Sequence, residues 1–186
     1  MVGMTEEVQR PKRTTGLLVI AAVLTLGLDV LTKVLVVADL EGKPPVRLLG
    51  GLLYLDVFRN PGAAFSMATG MTWLLTLVAL GVVVAILRWA PKLRSVGWAL
   101  GLGLVLGGAL GNLGDRFFRA PGPMRGHVVD FISVFAPRGE VFAVFNIADS
   151  GICVGGAILI LMAVFGIEFD GTRTSDKKDK EATASD

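Results

Sequence analysis

The sequence predicts an all-α membrane protein built on four spanning helices. Three observations lead there. The chain has 186 residues, of which 53% are hydrophobic and only 18% charged. Its mean hydropathy is +0.66. Four stretches reach the roughly 20 apolar residues that a bilayer core requires, at about residues 17–37, 71–89, 96–116 and 141–168. One such stretch reads equally well as a buried core helix. Four in so short a chain leave too few residues to cover them in water.

The segment 1–14 is polar, and residues 15–169 read as a single membrane domain. The first apolar run follows Arg10, Lys12 and Arg13, as a secretory signal would. It is too long for one, carries Asp29 and Lys33, and lacks a clear small-residue cleavage site, so it reads as a retained helix. The connection 38–68 holds Pro44, Pro45, Gly50, Gly51, Pro61 and Gly62. Its short apolar runs around Gly50-Gly51 suggest small β-strands or a hairpin. "APKLRS" is a short turn between the second and third helices. Gly103, Gly107 and Gly111 recur every four residues, a small-residue stripe suited to close helix packing in lipid. They have no following Lys-Ser/Thr, so a phosphate-cradling loop is set aside. A second long connection, 119–140, precedes the fourth helix. The tail 170–186 is charged and is expected to be disordered.

Four spans place both termini on one side. That side and the 90–95 turn carry ten Lys/Arg, against seven on the other. The bias favours cytoplasmic termini, with the long connections outward. Net charge is +2, and no nucleic-acid signal is present. The single Cys153 can form no internal disulfide and belongs to no metal-ligand spacing. It reads as a small packing residue. No metal or organic cofactor is called for.

The unusual polar residues converge at one depth. Asp29 and Lys33 share a face of the first helix at i, i+4. Asn112, Asp115 and Arg116 cluster at the end of the third. Asn146 and Asp149 open the fourth. Arg59 and Asn60 precede the second, and Asp130 lies in the connection before the fourth. A purely structural network would pair Asp29 with Lys33 and Asp115 with Arg116. Asp130 and Asp149 have no basic residue one helical turn away. Two carboxylates at one site share a proton, one ionised and one neutral, as general acid–base hydrolysis of a peptide requires.

"LDVLTK", "FRNPGAAFS", "GNLGDRFF", "HVVDFI" and "FNIADS" stand in that order. Together they resemble the motif blocks of the lipoprotein signal peptidase (signal peptidase II) family, over about residues 15–168. The resemblance implies a bacterial cell-membrane aspartic endopeptidase that cleaves prolipoproteins before a diacylglyceryl-modified cysteine. It implies four membrane helices, a small extracytoplasmic β-rich cradle and a short outer helix. Carried over by position, Asp130 and Asp149 are the catalytic pair. Asn112, Asp115, Arg116 and Asn146 support it. Asn60 and Arg59 are expected near the substrate backbone, and Asp29 and Lys33 form a structural polar pair. The partners implied are prolipoproteins and membrane lipid, and a monomer is expected. The stretch between Arg116 and Asp130 reads as longer than the family pattern, with an expected bulge around Pro121, Gly122 and Pro123.

Rival readings use the same residues differently. In an ion-coupled transporter, Asp29, Lys33, Asp115 and Asp149 would be relay groups, though such sites lie at the bilayer midplane. A serine protease would pair Ser66 with Lys33, but Asp29 one turn away holds that lysine protonated. A non-catalytic scaffold would need neither Asp130 nor Asp149. His127, three residues before Asp130, reads as an incidental loop residue despite its suitable ordinary pKa.

Overall fold

The computed structural model describes residues 13–62 and 71–175. Among the described residues, four helices are long and apolar enough to cross a membrane: α1 (Thr15–Leu40), α2 (Thr72–Trp89), α3 (Val96–Phe118) and α4 (Ile147–Val164). Three short strands, β1 (Val46–Leu48), β2 (Leu53–Asn60) and β3 (Val128–Val134), form an antiparallel sheet in the order β1-β2-β3. The protein is a mainly helical, multi-pass membrane protein with a small sheet at one end of its helices.

Helix α3 is the hub, packing against α1, α2 and α4. Its small residues make this possible. A β-carbon on Gly103 would stand 2.7 Å from that of Ala21, and one on Gly107 2.7 Å from Cβ of Thr25, both in α1. Gly108 abuts the carbonyl of Ala148, and Gly101 the side chain of Leu159, both in α4. The glycine stripe therefore serves one neighbour, and a second set of glycines serves another. Van der Waals contact at this range replaces the hydrophobic drive that lipid does not supply. Leu102, Leu106, Ala109 and Leu113 are buried around it with Leu18, Val83 and Ile86. Val19, Ile20, Val23, Leu24, Leu31 and Leu35 of α1 face outward instead. An apolar exterior over a partly polar interior is the pattern of a chain solvated by lipid.

The sheet packs on the last turns of α1, where Val36, Val129 and Phe131 are buried together. Its register shifts between Leu55 and Phe58, so Asp56 and Val57 stand opposite Phe131 alone. This bulge bends β2. Phe145 binds the other edge of β3: Phe131 and Ile132 N–H donate to its carbonyl at 3.0 and 2.8 Å, and its N–H donates to Ile132 O at 3.0 Å. The start of α4 is thereby stitched to β3.

Several expectations are corrected. The fourth helix begins at Ile147, not 141, because Val141–Phe145 are spent on a loop and on pairing with β3, and Asn146 is its N-cap. Beyond the expected hairpin stands a third strand, β3, inside what reads as an irregular connection. The first residues of the tail are ordered. Thr172 N–H and Oγ1 both donate to Asp170 Oδ1, at 3.0 and 2.6 Å, and Ile167 bridges Arg173. This turn caps the other end of α3, where Arg94 and Ser95 N–H donate to Phe169 O. Residues 1–12, the rest of the tail and Ser66 lie outside the described residues.

Candidate active site

Asp130 sits in the middle of β3 and is 1% exposed. Its Oδ2 accepts from Asn60 Nδ2 at 2.8 Å, and its Oδ1 from Asn146 Nδ2 at 2.7 Å. Asn60 ends β2 in register with Val128, so the β2–β3 pairing brings this amide to the carboxylate. Both donors are neutral. Burial, and after it the charge of Asp149, push the Asp130 carboxyl up to about 7; the two amides and the Lys33 charge pull weakly the other way.

Asp149 lies in the first turn of α4, inside a reciprocal cap. Asn146 Oδ1 accepts from Asp149 N–H at 2.9 Å, and Asp149 Oδ2 accepts from Asn146 N–H at 3.2 Å. The cap satisfies N–H groups that any helix start leaves free, and it also orients the carboxylate. Asp149 Oδ1 accepts from Asn112 Nδ2 at 2.8 Å. Asn112 Oδ1 accepts from Lys33 Nζ at 3.1 Å and from Asn146 Nδ2 at 3.2 Å. With two donors on its oxygen, the Asn112 amide has one orientation only, NH₂ toward Asp149.

Asp130, Asp149, Asn60, Asn112 and Arg116 border one cavity of about 540 Å³. Apart from Ser150, its remaining wall is mainly apolar, with Phe142, Val144, Phe145, Ile152 and Val154, and with Cys153 one turn beyond Asp149. Cys153 is exposed, which corrects its reading as a packing residue: the site uses that face of α4 as a wall. Arg116 is buried, donates to the carbonyls of Asn112 and Gly62 at 3.4 and 3.3 Å, and leaves Nε without a partner among the described residues.

The expected pair of Asp115 with Arg116 does not form. Neighbouring helical residues point about 100° apart and cannot face each other. Asp115 instead binds Lys33 Nζ at 2.8 Å and Arg119 Nε, four residues on. The i, i+4 spacing of Asp115 and Arg119 carried that signal in the sequence. Lys33 pairs with Asp29 at 2.7 Å, as the sequence suggests, and with Asp115 as well. Arg59 stands away from the cavity, bound to Glu41 at 2.7 Å. Alternation along β2 puts it on the opposite face from Asn60. His127 is half-buried and outside the cavity wall.

Known proteins sharpen this picture. The family model described as signal peptidase (SPase) II matches residues 21–165. A lipoprotein signal peptidase of Rhodococcus jostii is 59% identical over 162 residues, covering 87% of this chain and 79% of that protein. One of Mycobacterium avium is 49% identical over 178 residues, covering 96% and 95%. Among solved structures, one described as a bacterial membrane enzyme superposes with a TM-score of 0.71 at 26% identity, covering 84% of this chain and 92% of that one. A second gives 0.69 at 25%, covering 83% and 97%. These likenesses lend nothing to a transporter. Four spans, the ordered motif blocks and the match across residues 21–165 agree: the chain belongs to the signal peptidase II family of peptidases.

Proposed function

We propose that this protein is an aspartic endopeptidase of the bacterial cell membrane that removes signal peptides from prolipoproteins, cutting before a diacylglyceryl-modified cysteine. The observation that carries it is the joining of Asp130 and Asp149 through Asn146 at the edge of a cavity that is polar at one end and apolar along the other. Acyl chains favour the apolar wall near Ile152 and Val154, while the scissile peptide reaches the carboxylates at the ends of the spans. Termini in the cytoplasm and the sheet outside fit the basic residues flanking the spans.

The raised Asp130 carboxyl holds the shared proton, which leaves Asp149 as the base. Asp149 takes a proton from water as the water oxygen bonds to the scissile carbonyl carbon. Asp130 gives its proton to the carbonyl oxygen, forming a gem-diol. The C–N bond then breaks: Asp149 returns its proton to the leaving nitrogen, and one diol hydroxyl returns a proton to Asp130. Each such transfer contributes about 10²–10⁴-fold.

The test is cleavage of a diacylglyceryl-modified prolipoprotein by the purified protein in detergent, with Asp149→Asn and an unlipidated substrate as controls. Cleavage before the modified cysteine, lost in the variant and without lipid, is expected. Inactive wild-type protein with an intact fold overturns the activity. Full activity in the variant overturns the dyad.

A further inference from the structure

Lys33 touches neither the cavity nor either dyad carboxylate, and it is 1% exposed. Its Nζ lies 2.7 Å from Asp29 Oδ2, 2.8 Å from Asp115 Oδ2 and 3.1 Å from Asn112 Oδ1. Each of these three groups makes a second contact. Asp29 Oδ1 accepts the N–H of Ala148 at 2.9 Å, the residue before Asp149. Asp115 Oδ2 accepts the N–H of Val129 at 3.1 Å, the residue before Asp130. Asn112 donates to Asp149 itself. One ammonium on α1 thus reaches the backbone beside both aspartates by two matching routes, and the side chain of one by a third.

We propose that Lys33 is a positioning residue that sets the spacing of the two catalytic aspartates, by anchoring Asp29 and Asp115 to the peptide groups that precede them. The inference rests on the dyad reading. Simple stabilisation accounts poorly for the arrangement. A buried ion cluster is a weak source of stability, because desolvation offsets most of its attraction, and an apolar trio of similar volume would pack α1 on α3 as well. What apolar side chains cannot do is hold two chosen N–H groups, one on a strand and one on a helix start, against a common point. Asp130 and Asp149 come from elements that α1 and α3 both span, since each packs on β3 as well as on α4, and Lys33 ties those two helices together.

The test uses the full chain with Asp29→Asn and Lys33→Met together. This change removes one charge of each sign, leaves Asp115 paired with Arg119, and keeps an oxygen at position 29 for the Ala148 N–H. It avoids the stranded charge that Lys33→Met alone would leave. Assayed with wild-type protein and Asp130→Asn alongside, the pair variant is expected to melt close to wild type. Its kcat and kcat/KM are expected to fall together by about 10²-fold, the scale of an ångström misplacement at reacting groups. A variant that folds and cleaves at the wild-type rate overturns the inference. A loss confined to the amount of folded protein, with kcat per folded molecule unchanged, does so too. If the pair variant does not fold, Asp29→Asn alone decides: a lowered kcat at unchanged KM supports positioning, and wild-type kcat overturns it. Failure of wild-type protein to cleave would instead strike at the proposed activity, so the two failures are distinct.

Discussion

The Asn146 amide lies 2.7 Å from Asp130 Oδ1, although sixteen positions separate the two residues. The same side chain caps α4 through Asp149 N–H. Loss of this group therefore loosens both halves of the site. Asn146→Ala removes a cap worth about 1 kcal/mol and a hydrogen bond to a buried carboxylate worth about 1.5–3 kcal/mol. A lower melting temperature and a large loss of kcat are expected together. Asn60→Ala touches no cap and should lower kcat with a smaller thermal effect. Parallel melting and rate measurements on the two variants separate these contributions.

The raised Asp130 carboxyl predicts the basic limb of the pH profile. The reactive dyad carries one proton, which Asp130 loses as pH rises through about 7. The value belongs to the pair as a titrating unit. Rate should fall about tenfold per pH unit well above it. A profile flat from pH 6 to 9 would contradict the assignment.

The same shift predicts a stability trend of definite sign. Folding raises this pKa above its ordinary 3.8. Between those values the folded state holds a proton that the unfolded state lacks, so stability declines as pH rises across that window and levels off above about 7. Thermal melting of wild type should show this slope, and Asp130→Asn should lack it.

Helix packing around α3 makes its glycines unequal. A β-carbon at Gly108 would press on the carbonyl of Ala148, next to Asp149, whereas one at Gly114 meets nothing within 4 Å. Gly108→Ala should cost about 1–3 kcal/mol by overpacking and reduce activity. Gly114→Ala should be close to neutral, which melting curves and cleavage rates will read directly.

Arg59→Ala is expected to leave kcat/KM near wild type. The side chain is about one-third exposed and its partner is Glu41. A pair so placed contributes about 0–1 kcal/mol. A large rise in KM would show that Arg59 leaves Glu41 to meet the substrate.

The sequence by itself determined the spans, because lipid demands about 20 apolar residues whatever the tertiary arrangement. It also determined which residues are anomalous, since a charge among apolar neighbours stands out without coordinates. Asp29 with Lys33 was legible because their contact is local, one helical turn apart. Four things were decided only by tertiary structure. These were β3, the late start of α4, the turning of Arg59 toward Glu41, and the sharing of Lys33 between Asp29 and Asp115. The first depends on the antiparallel pairing of β3 with β2, and the second on Phe145 binding β3 rather than extending the helix. The third depends on which way alternation along a bulged strand points. The last depends on α1 and α3 approaching closely enough for one ammonium to reach both carboxylates, a distance set by the glycines between them. Period and composition record what a residue does within its own element. The partner it finds across elements is fixed by packing, and at this site the bonds from Asn60 and Asn146 to Asp130 and from Asn112 to Asp149 all cross from one element to another.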